Sequence, residues 1–366
     1  MKILQTIKYF EPSKGGMESV VKNLVFGIEK NEIDCEITVA CNNHVKSERK
    51  IVHHIGKIKV VRFKSLFYKS QPISLLFRGL SKLIRSADVV NHHYPFPTME
   101  IFLLAHLKVL KKKKFVVTWH ANIENSRWSW IESFYNPVIK KLLDAASVIV
   151  VTSPQLFEYS SILSKYADKV TVIPLSFRPQ NEKISPKILT DKTFKVLFVG
   201  KLREYKGLKY LIEAAKNLKI SVDIVGNGEL ENELNDLIIE TNQTQKIKLH
   251  TDVDDETLKT FYTNADIFVL PSINEAEAFG VVQLEALSYS LPVINTRLKS
   301  GVPYVSLNNV TGFTVEPANV LELETAIEKL RTDTTLYNKF AKNALERSLE
   351  FSNKRMVEKY LAVYAN

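Results

Sequence analysis

Short apolar runs alternate with stretches of helical period along most of the chain, and this alternation limits the fold more than any other feature. Strands are predicted over residues 3–7, 36–40, 59–63, 88–91, 115–119, 147–151 and 170–173, with helices over 17–30, 98–110 and 131–143 between them. A further helix opens after Ser153-Pro154, where serine can cap and proline suits the first turn. From about residue 176 to 192 the pattern breaks at Pro179, Pro186 and several polar residues. It restarts with strands at 195–200, 222–225, 246–250, 267–270 and 293–295, and the tail from 321 to 364 is helical by period with a break near Ser352. Strands joined through helices of this length form parallel sheets with right-handed crossovers. At 366 residues the chain is too long for one ordinary core. The expected fold class is therefore α/β, two doubly wound Rossmann-like domains facing a cleft. They are placed at 1–178 and 193–351, with a linker over about 179–192 and a final helix over about 352–366 packing back on the first domain.

A hydrophobic content of 45% and a charged content of 25% are those of a globular protein, and no apolar run approaches the roughly 20 residues of a membrane span. The first strand meets Lys8 and Glu11 at once and is too short for a signal-peptide core, so export is not expected. Cys35 and Cys41 flank a predicted strand at no metal or redox spacing and read as thiols of a reducing cytoplasm. Charge is unevenly placed. Residues 1–190 carry 29 Lys and Arg against 15 Asp and Glu, a balance of +14, whereas residues 191–366 carry 21 against 25, a balance of −4. The basic half is expected to meet an anionic surface. Residues 62–69 and 75–85 mix aromatic, aliphatic and basic side chains, which fits a segment lying on a membrane with Phe63, Phe67 and Phe77 inserted and Lys64, Lys69 and Lys82 at the headgroups. Lys111 to Lys114 either add to that surface or are simply solvated. No nucleic-acid-binding signature appears.

Five clusters fall at predicted strand ends, where open α/β sheets bind ligands. Lys14-Gly-Gly-Met-Glu18 follows the first strand, and paired glycines can present amides to an anion. Thr118-Trp-His-Ala-Asn122 puts His120 at a strand end, although a lone histidine is more often structural. Lys201, Arg203 and Lys206 cluster at the turn that opens the second domain, three cations where a phosphate could sit. Ile224-Val-Gly-Asn-Gly-Glu229 is a glycine turn suited to passing a planar base. Glu277-Ala-Phe-Gly-Val-Val-Gln-Leu-Glu285 holds two carboxylates on what reads as one helix running to about residue 289. Taken alone, that pair reads equally as a solvated acidic face. Asp252-Val-Asp254 mimics a metal-binding Asp-x-Asp, but Asp254 precedes a helix-like run and fits better as its N-cap.

In this order and spacing, Gly15-Gly16-Met17-Glu18, Thr118-Trp119-His120, Lys206-Gly207, Val225-Gly226-x-Gly228 and Glu277-x-Phe279-Gly280-x4-Glu285 resemble the retaining family 4 glycosyltransferases of the GT-B fold, over nearly the full length. Pro292-Val-Ile-Asn-Thr296 followed by Ser300-Gly-Val-Pro303 is similar to the subset acting on bacterial surface polysaccharides, several of which are mannosyltransferases. The resemblance implies an acceptor-side first domain and a second domain that binds a nucleotide-sugar donor. The Gly16 backbone would face the donor diphosphate, and Lys206 would neutralise it with a second cation from Lys201 or Arg203. Family members commonly carry arginine where this chain has Lys201, so a bidentate clamp becomes a point charge there. Gly226 would pass close to the nucleotide, and Glu277 would hold the sugar hydroxyls. The amides of Phe279, Gly280 and Val281 would contact sugar and phosphate, Glu285 the ribose, and His120 the transferred sugar.

The chemistry agrees with that inventory. Breaking a sugar–phosphate bond leaves negative charge on the nucleoside diphosphate, so preorganised cations and amides act most in the transition state. The expectation is a metal-independent, cofactor-free hexosyltransferase that retains configuration by front-face displacement. Its acceptor would be a lipid-linked oligosaccharide, or a growing O-antigen, capsule or exopolysaccharide, at the cytoplasmic face of the membrane. Mannose from GDP-mannose is the leading reading and a UDP-sugar the alternative. An epimerase or a non-catalytic membrane scaffold fits less well, since a scaffold has no need of Lys206 and both glutamates.

Overall fold

The structure is a computed structural model describing residues 1–13, 15–31, 34–44, 50–68, 71–74, 77–122, 132–177, 184–189 and 193–365. It divides into two compact units, Met1–Arg178 with Asn353–Asn366, and Pro179–Ser352. Most of the expected linker lies outside the described residues.

The strands of the first unit are β1 Lys2–Thr6, β2 Glu36–Asn42, β3 Ile51–Ile55, β4 Ile58–Phe63, β5 Leu66–Tyr68, β6 Gln71–Ile73, β7 Val89–Tyr94, β8 Lys114–Trp119, β9 Val148–Val151 and β10 Val170–Val172. Eight of them form one sheet in the order β10-β9-β8-β7-β1-β2-β4-β3. Every pairing in it is parallel except the β3–β4 edge hairpin, while β5 and β6 pair by themselves. Strands buried on both faces need continuous apolar runs. Val89, Val90, Phe115, Val116 and Val117 supply them and are at most 2% exposed. Strand β3 escaped the sequence reading because it lies at an edge and lacks a continuous apolar run, with Ile51 and Val52 open to solvent. The expected helix over 98–110 is two helices, Pro97–Leu104 and Leu107–Leu110.

The C-terminal helix Asn353–Ala365 belongs to this first unit. Its Asn353 amide donates to the Asn23 carbonyl at 3.1 Å and accepts from Ser176 Oγ at 3.1 Å. Near its other end, Tyr360 and Tyr364 are buried against the strands.

The second unit carries β11 Phe194–Val199, β12 Ile220–Val225, β13 Ile247–His250, β14 Ile267–Leu270, β15 Val293–Thr296 and β16 Gly312–Val315. They form one fully parallel sheet in the order β13-β12-β11-β14-β15-β16. In each sheet the strand order reverses once, beside β1 in the first unit and between β11 and β14 in the second. Such a reversal point, at the carboxyl ends of the strands, is where open sheets take ligands.

The membrane segment is partly overturned. Phe63 and Phe77 are 1% and 3% exposed and pack edge-on at 5.1 Å, and Arg62 is buried with its guanidinium donating to the carbonyls of Phe10 and Glu11. These aromatics complete the core beside β4 and are not available to lipid. Lys64, Arg78, Lys82 and Arg85 do face solvent. Lys69 and the Phe67 side chain lie outside the described residues. Among the described residues no helix is long and apolar enough to cross a membrane.

Candidate functional site

At the reversal point of the second sheet, the turn after β11 meets the loop after β14. Lys206 ends the 3-10 turn Glu204–Lys206, and the next residue, Gly207, has φ +66. A Cβ at Gly207 would stand 2.2 Å from the Pro271 carbonyl oxygen, so only glycine lets the two loops touch. The contact brings the Lys206 ammonium onto Glu277, while Ser272 Oγ donates to the same carboxylate oxygen at 3.1 Å. Lys206 is 6% and Glu277 8% exposed. An ion pair this dry holds only when both partners are present. Glu277 receives both bonds on Oε2, and the ammonium has three protons to give. Sequence reading placed both residues in one site but missed their pairing and missed Ser272.

The other two cations of the turn behave differently. Lys201 and Arg203 are exposed, and neither forms an ion pair among the described residues. Two charged side chains thus stand free beside a third that is held.

The glycine turn after β12 has a reason that the spacing alone did not show. Gly226 has φ +150, and a Cβ there would lie 1.8 Å from the Gly200 carbonyl oxygen; at Gly228 it would lie 2.3 Å from that of Leu202. The two turns run backbone against backbone, with Gly200 N donating to Val225 O at 2.9 Å and Leu202 N to Asn227 O at 3.0 Å. Close packing between the turns requires these glycines whether or not a base passes over them.

The segment 277–289 is not one helix. The helix is Val282–Ser288, and the residues before it form a loop in which Gly280 takes φ +70. The helix start waits for Val281, which caps it without a side-chain bond. Phe279 is buried with its ring edge-on to Phe351 at 6.3 Å, so its side chain serves the core and only its backbone is left for a ligand. Gln283 Nε2 donates to the Phe279 carbonyl at 3.3 Å, and Asn295 Nδ2 donates to Gln283 Oε1 at 2.9 Å. This buried amide pair fixes the orientation of the Phe279–Gly280 peptide. Glu285 sits apart from Glu277 and accepts from the Tyr262 hydroxyl at 2.8 Å. Burial raises its carboxyl above the ordinary value, and the Tyr262 hydrogen bond works in the opposite direction.

Asp254 caps the helix Asp255–Asn264 by accepting from Thr257 N at 2.7 Å, a bond that holds its carboxyl below the ordinary value. Asp252 accepts from the Asn227 amide while its own N–H donates to Asn227 Oδ1 at 3.0 Å.

In the first unit, Gly16 opens the helix Gly16–Lys30, and a Cβ there would meet no atom within 4 Å. His120 follows β8 and is 6% exposed, with Nε2 lying 2.9 Å from His93 Nδ1 and the two rings stacked at 5.2 Å. Burial, aided by the neighbouring His92, pushes His120 down to about 3, and burial also takes His93 well below its ordinary value. Both imidazoles are therefore neutral near pH 7. His93 and Gln5 went unnoticed in the sequence. The signal available was Asn91-His-His93 inside an otherwise apolar strand, since buried polar side chains need partners.

Two family models match end to end. One described as Glycosyltransferase Family 4 covers residues 14–179, and one described as Glycosyl transferases group 1 covers 180–347. The chain belongs to the glycosyltransferases. This glycosyltransferase is 28% identical over 380 residues to the O-antigen chain mannosyltransferase C of Escherichia coli, covering 100% of its own length and 98% of the relative's. It is 29% identical over 363 residues to a D-rhamnosyltransferase of Pseudomonas aeruginosa, covering 95% and 91%. Among solved structures, sucrose-phosphate synthase from Thermosynechococcus elongatus superposes with a TM-score of 0.78 at 20% identity, over 100% of this chain and 98% of that one. The Anabaena protein HepE in complex with UDP superposes with a TM-score of 0.72 at 17% identity, over 100% of both chains. The fold of the glycosyltransferase is thus the GT-B fold that its motifs imply.

Proposed function

We propose that this glycosyltransferase is a metal-independent, retaining hexosyltransferase. In this reading it moves mannose from GDP-mannose to a lipid-linked or growing bacterial surface glycan at the cytoplasmic face of the membrane. The observation that carries the reading is the buried Lys206–Glu277 pair at the reversal point of the second sheet. A diphosphate entering there meets an ammonium already desolvated, with protons left to donate beyond the one on Glu277. Lys201 and Arg203 add exposed positive charge to the same turn. Neutralised by Lys206, Glu277 keeps Oε1 to accept from a sugar hydroxyl. Charge that develops on the leaving phosphate is met by groups fixed beforehand, the arrangement that lowers such barriers most.

Glu285, with its carboxyl held by Tyr262, is assigned to the ribose, and the Phe279, Gly280 and Val281 amides to sugar and phosphate. Gly16 with its helix is assigned to the diphosphate and Gly226 to the nucleotide. His120, neutral at working pH, is assigned to the transferred sugar as a hydrogen-bonding group. No carboxylate is assigned as a nucleophile, and the leaving phosphate takes the acceptor proton. The named activities of the two curated relatives support a hexose or deoxyhexose of a surface polysaccharide as the group moved.

A panel of GDP- and UDP-sugars, with and without chelator, tests this. The expected result is turnover of GDP-mannose, unchanged by chelation, giving a product whose proton NMR shows the donor's anomeric configuration. Preference for a UDP-sugar moves the assignment to the alternative donor. An inverted linkage ends the retaining reading. Chelator loss restored by magnesium or manganese returns Asp252 and Asp254 as ligands.

A further inference from the structure

The C-terminal helix reaches His120 through an unbroken row of buried side chains. Asn91 Nδ2 donates to Tyr364 Oη at 2.8 Å, and Gln5 Nε2 donates to the same oxygen at 3.0 Å. Gln5 Oε1 lies 2.9 Å from His93 Nε2, and His93 Nδ1 lies 2.9 Å from His120 Nε2. The far end is also pinned: Thr118 Oγ1 donates to Asn91 Oδ1 at 2.8 Å, which turns the Asn91 amide nitrogen toward Tyr364. Gln5, Asn91, His93 and Thr118 are all 0% exposed and Tyr364 is 3% exposed, so no solvent competes for these bonds.

We infer that Tyr364, Gln5 and His93 are positioning residues that lock His120 in a single neutral tautomer. With the Gln5 amide in this orientation the proton count fixes the row, and Asn91 Nδ2 stands further off, 3.4 Å from His93 Nε2. Gln5 offers a carbonyl oxygen to His93 Nε2, so that nitrogen carries the proton and His93 Nδ1 is bare. His120 must then donate from Nε2, and its own Nδ1 is left as a lone pair. Reversing the Gln5 amide would reverse every proton in the row, yet it would again permit one tautomer only. Gln5 Nε2 donating to the Tyr364 hydroxyl, which Asn91 also reaches, is the contact that holds the amide in this orientation. A residue about 240 positions further along the chain thereby fixes whether His120 offers an acceptor or a donor. Burial holds both rings neutral, so the row is not broken by protonation near pH 7.

For catalysis, this inference rests on the reading of His120 as the group that meets the transferred sugar. The test therefore has two arms. Nitrogen-15 spectra of histidine-labelled protein without substrate read the tautomer directly. The expected result is one tautomer of His120 in the wild type and a mixture in Gln5→Leu and in Tyr364→Phe. The second variant removes one oxygen and keeps the shape. A wild-type mixture, or an unchanged His120 signal in a folded Tyr364→Phe protein, overturns the row. In the kinetic arm, Tyr364→Phe lowers kcat for sugar transfer by about tenfold or more while KM for the nucleotide sugar stays, as expected for misplaced catalytic geometry. If the tautomer mixes but kcat does not fall, the row stands and the assignment of His120 to the sugar fails.

Discussion

Lys206 and Glu277 are separated by 71 positions in the chain and by nothing but a hydrogen bond in the folded unit. Removing one member leaves the other as an unpaired buried charge, a loss of about 3–5 kcal/mol, whereas removing both is far milder. Lys206→Met should therefore destabilise the protein strongly in urea melts, and Lys206→Met with Glu277→Gln should recover most of that loss. Turnover should separate the two effects. Both proteins should lose about a hundredfold or more in transfer rate if, as proposed, Lys206 is the cation that meets the diphosphate. Recovery of activity along with stability in the double variant would reduce the pair to a structural one. At this scale the sequence was partly legible. That Lys206 and Glu277 fall in loops after strands could be read from the sequence, since the strands themselves were clear. Ser272, Gln5 and His93 could not, because their roles depend on neighbours brought from distant elements.

Two glycines that look alike in the motifs differ in what their elements demand. Gly226 faces the Gly200 carbonyl at a φ that L-residues avoid, so Gly226→Ala should cost about 3 kcal/mol in thermal or urea melts. Gly16 begins a helix with open space beside it, so Gly16→Ala should leave stability within about 0.5 kcal/mol of wild type. If the Gly16 backbone approaches the donor diphosphate, calorimetry with GDP should show the affinity of that same variant fall by tenfold or more. Unchanged affinity would remove Gly16 from the donor contacts. Whole elements were the best-read level, because buried parallel strands demand continuous apolar runs. The exceptions have physical causes. Strand β3 lies at an edge without a continuous apolar run, and the loop before Val282 holds a glycine at positive φ where sequence periodicity reads unbroken helix. In that loop the Gln283–Asn295 amide pair overrides local propensity.

Over the whole molecule, the first unit keeps uncharged imidazoles in its core. The unfolded chain takes up protons on His93 and His120 near the ordinary value of 6.5, whereas folded His120 resists until about 3. The stability that His120 contributes is thus complete above about pH 6.5 and declines as pH falls toward 3, by about 1.4 kcal/mol per pH unit, and His93, held down by the same burial, acts in the same direction. Thermal melts from pH 7 down to pH 4.5 should show that slope, and His93→Gln with His120→Gln should flatten it. Surface charge supports a second prediction. With Phe63 and Phe77 committed to the core, binding to anionic vesicles through the exposed basic residues Lys64, Arg78, Lys82, Arg85, Lys111 and Lys112 should be lost in high salt. A salt-resistant fraction in co-sedimentation would mean that apolar groups insert after all. The order in which the chain is made adds a further constraint. Domains generally fold as units during synthesis, the earlier ones first. Here the strands of the first unit are translated by about residue 172, but the hydroxyl that Gln5 and Asn91 share belongs to Tyr364. The ribosome must deliver all of Pro179–Ser352, a unit able to close on itself, before the earlier one receives its final helix. Throughout that interval the Gln5 and Asn91 amides lack the hydroxyl they share, so the half that is started first is finished last.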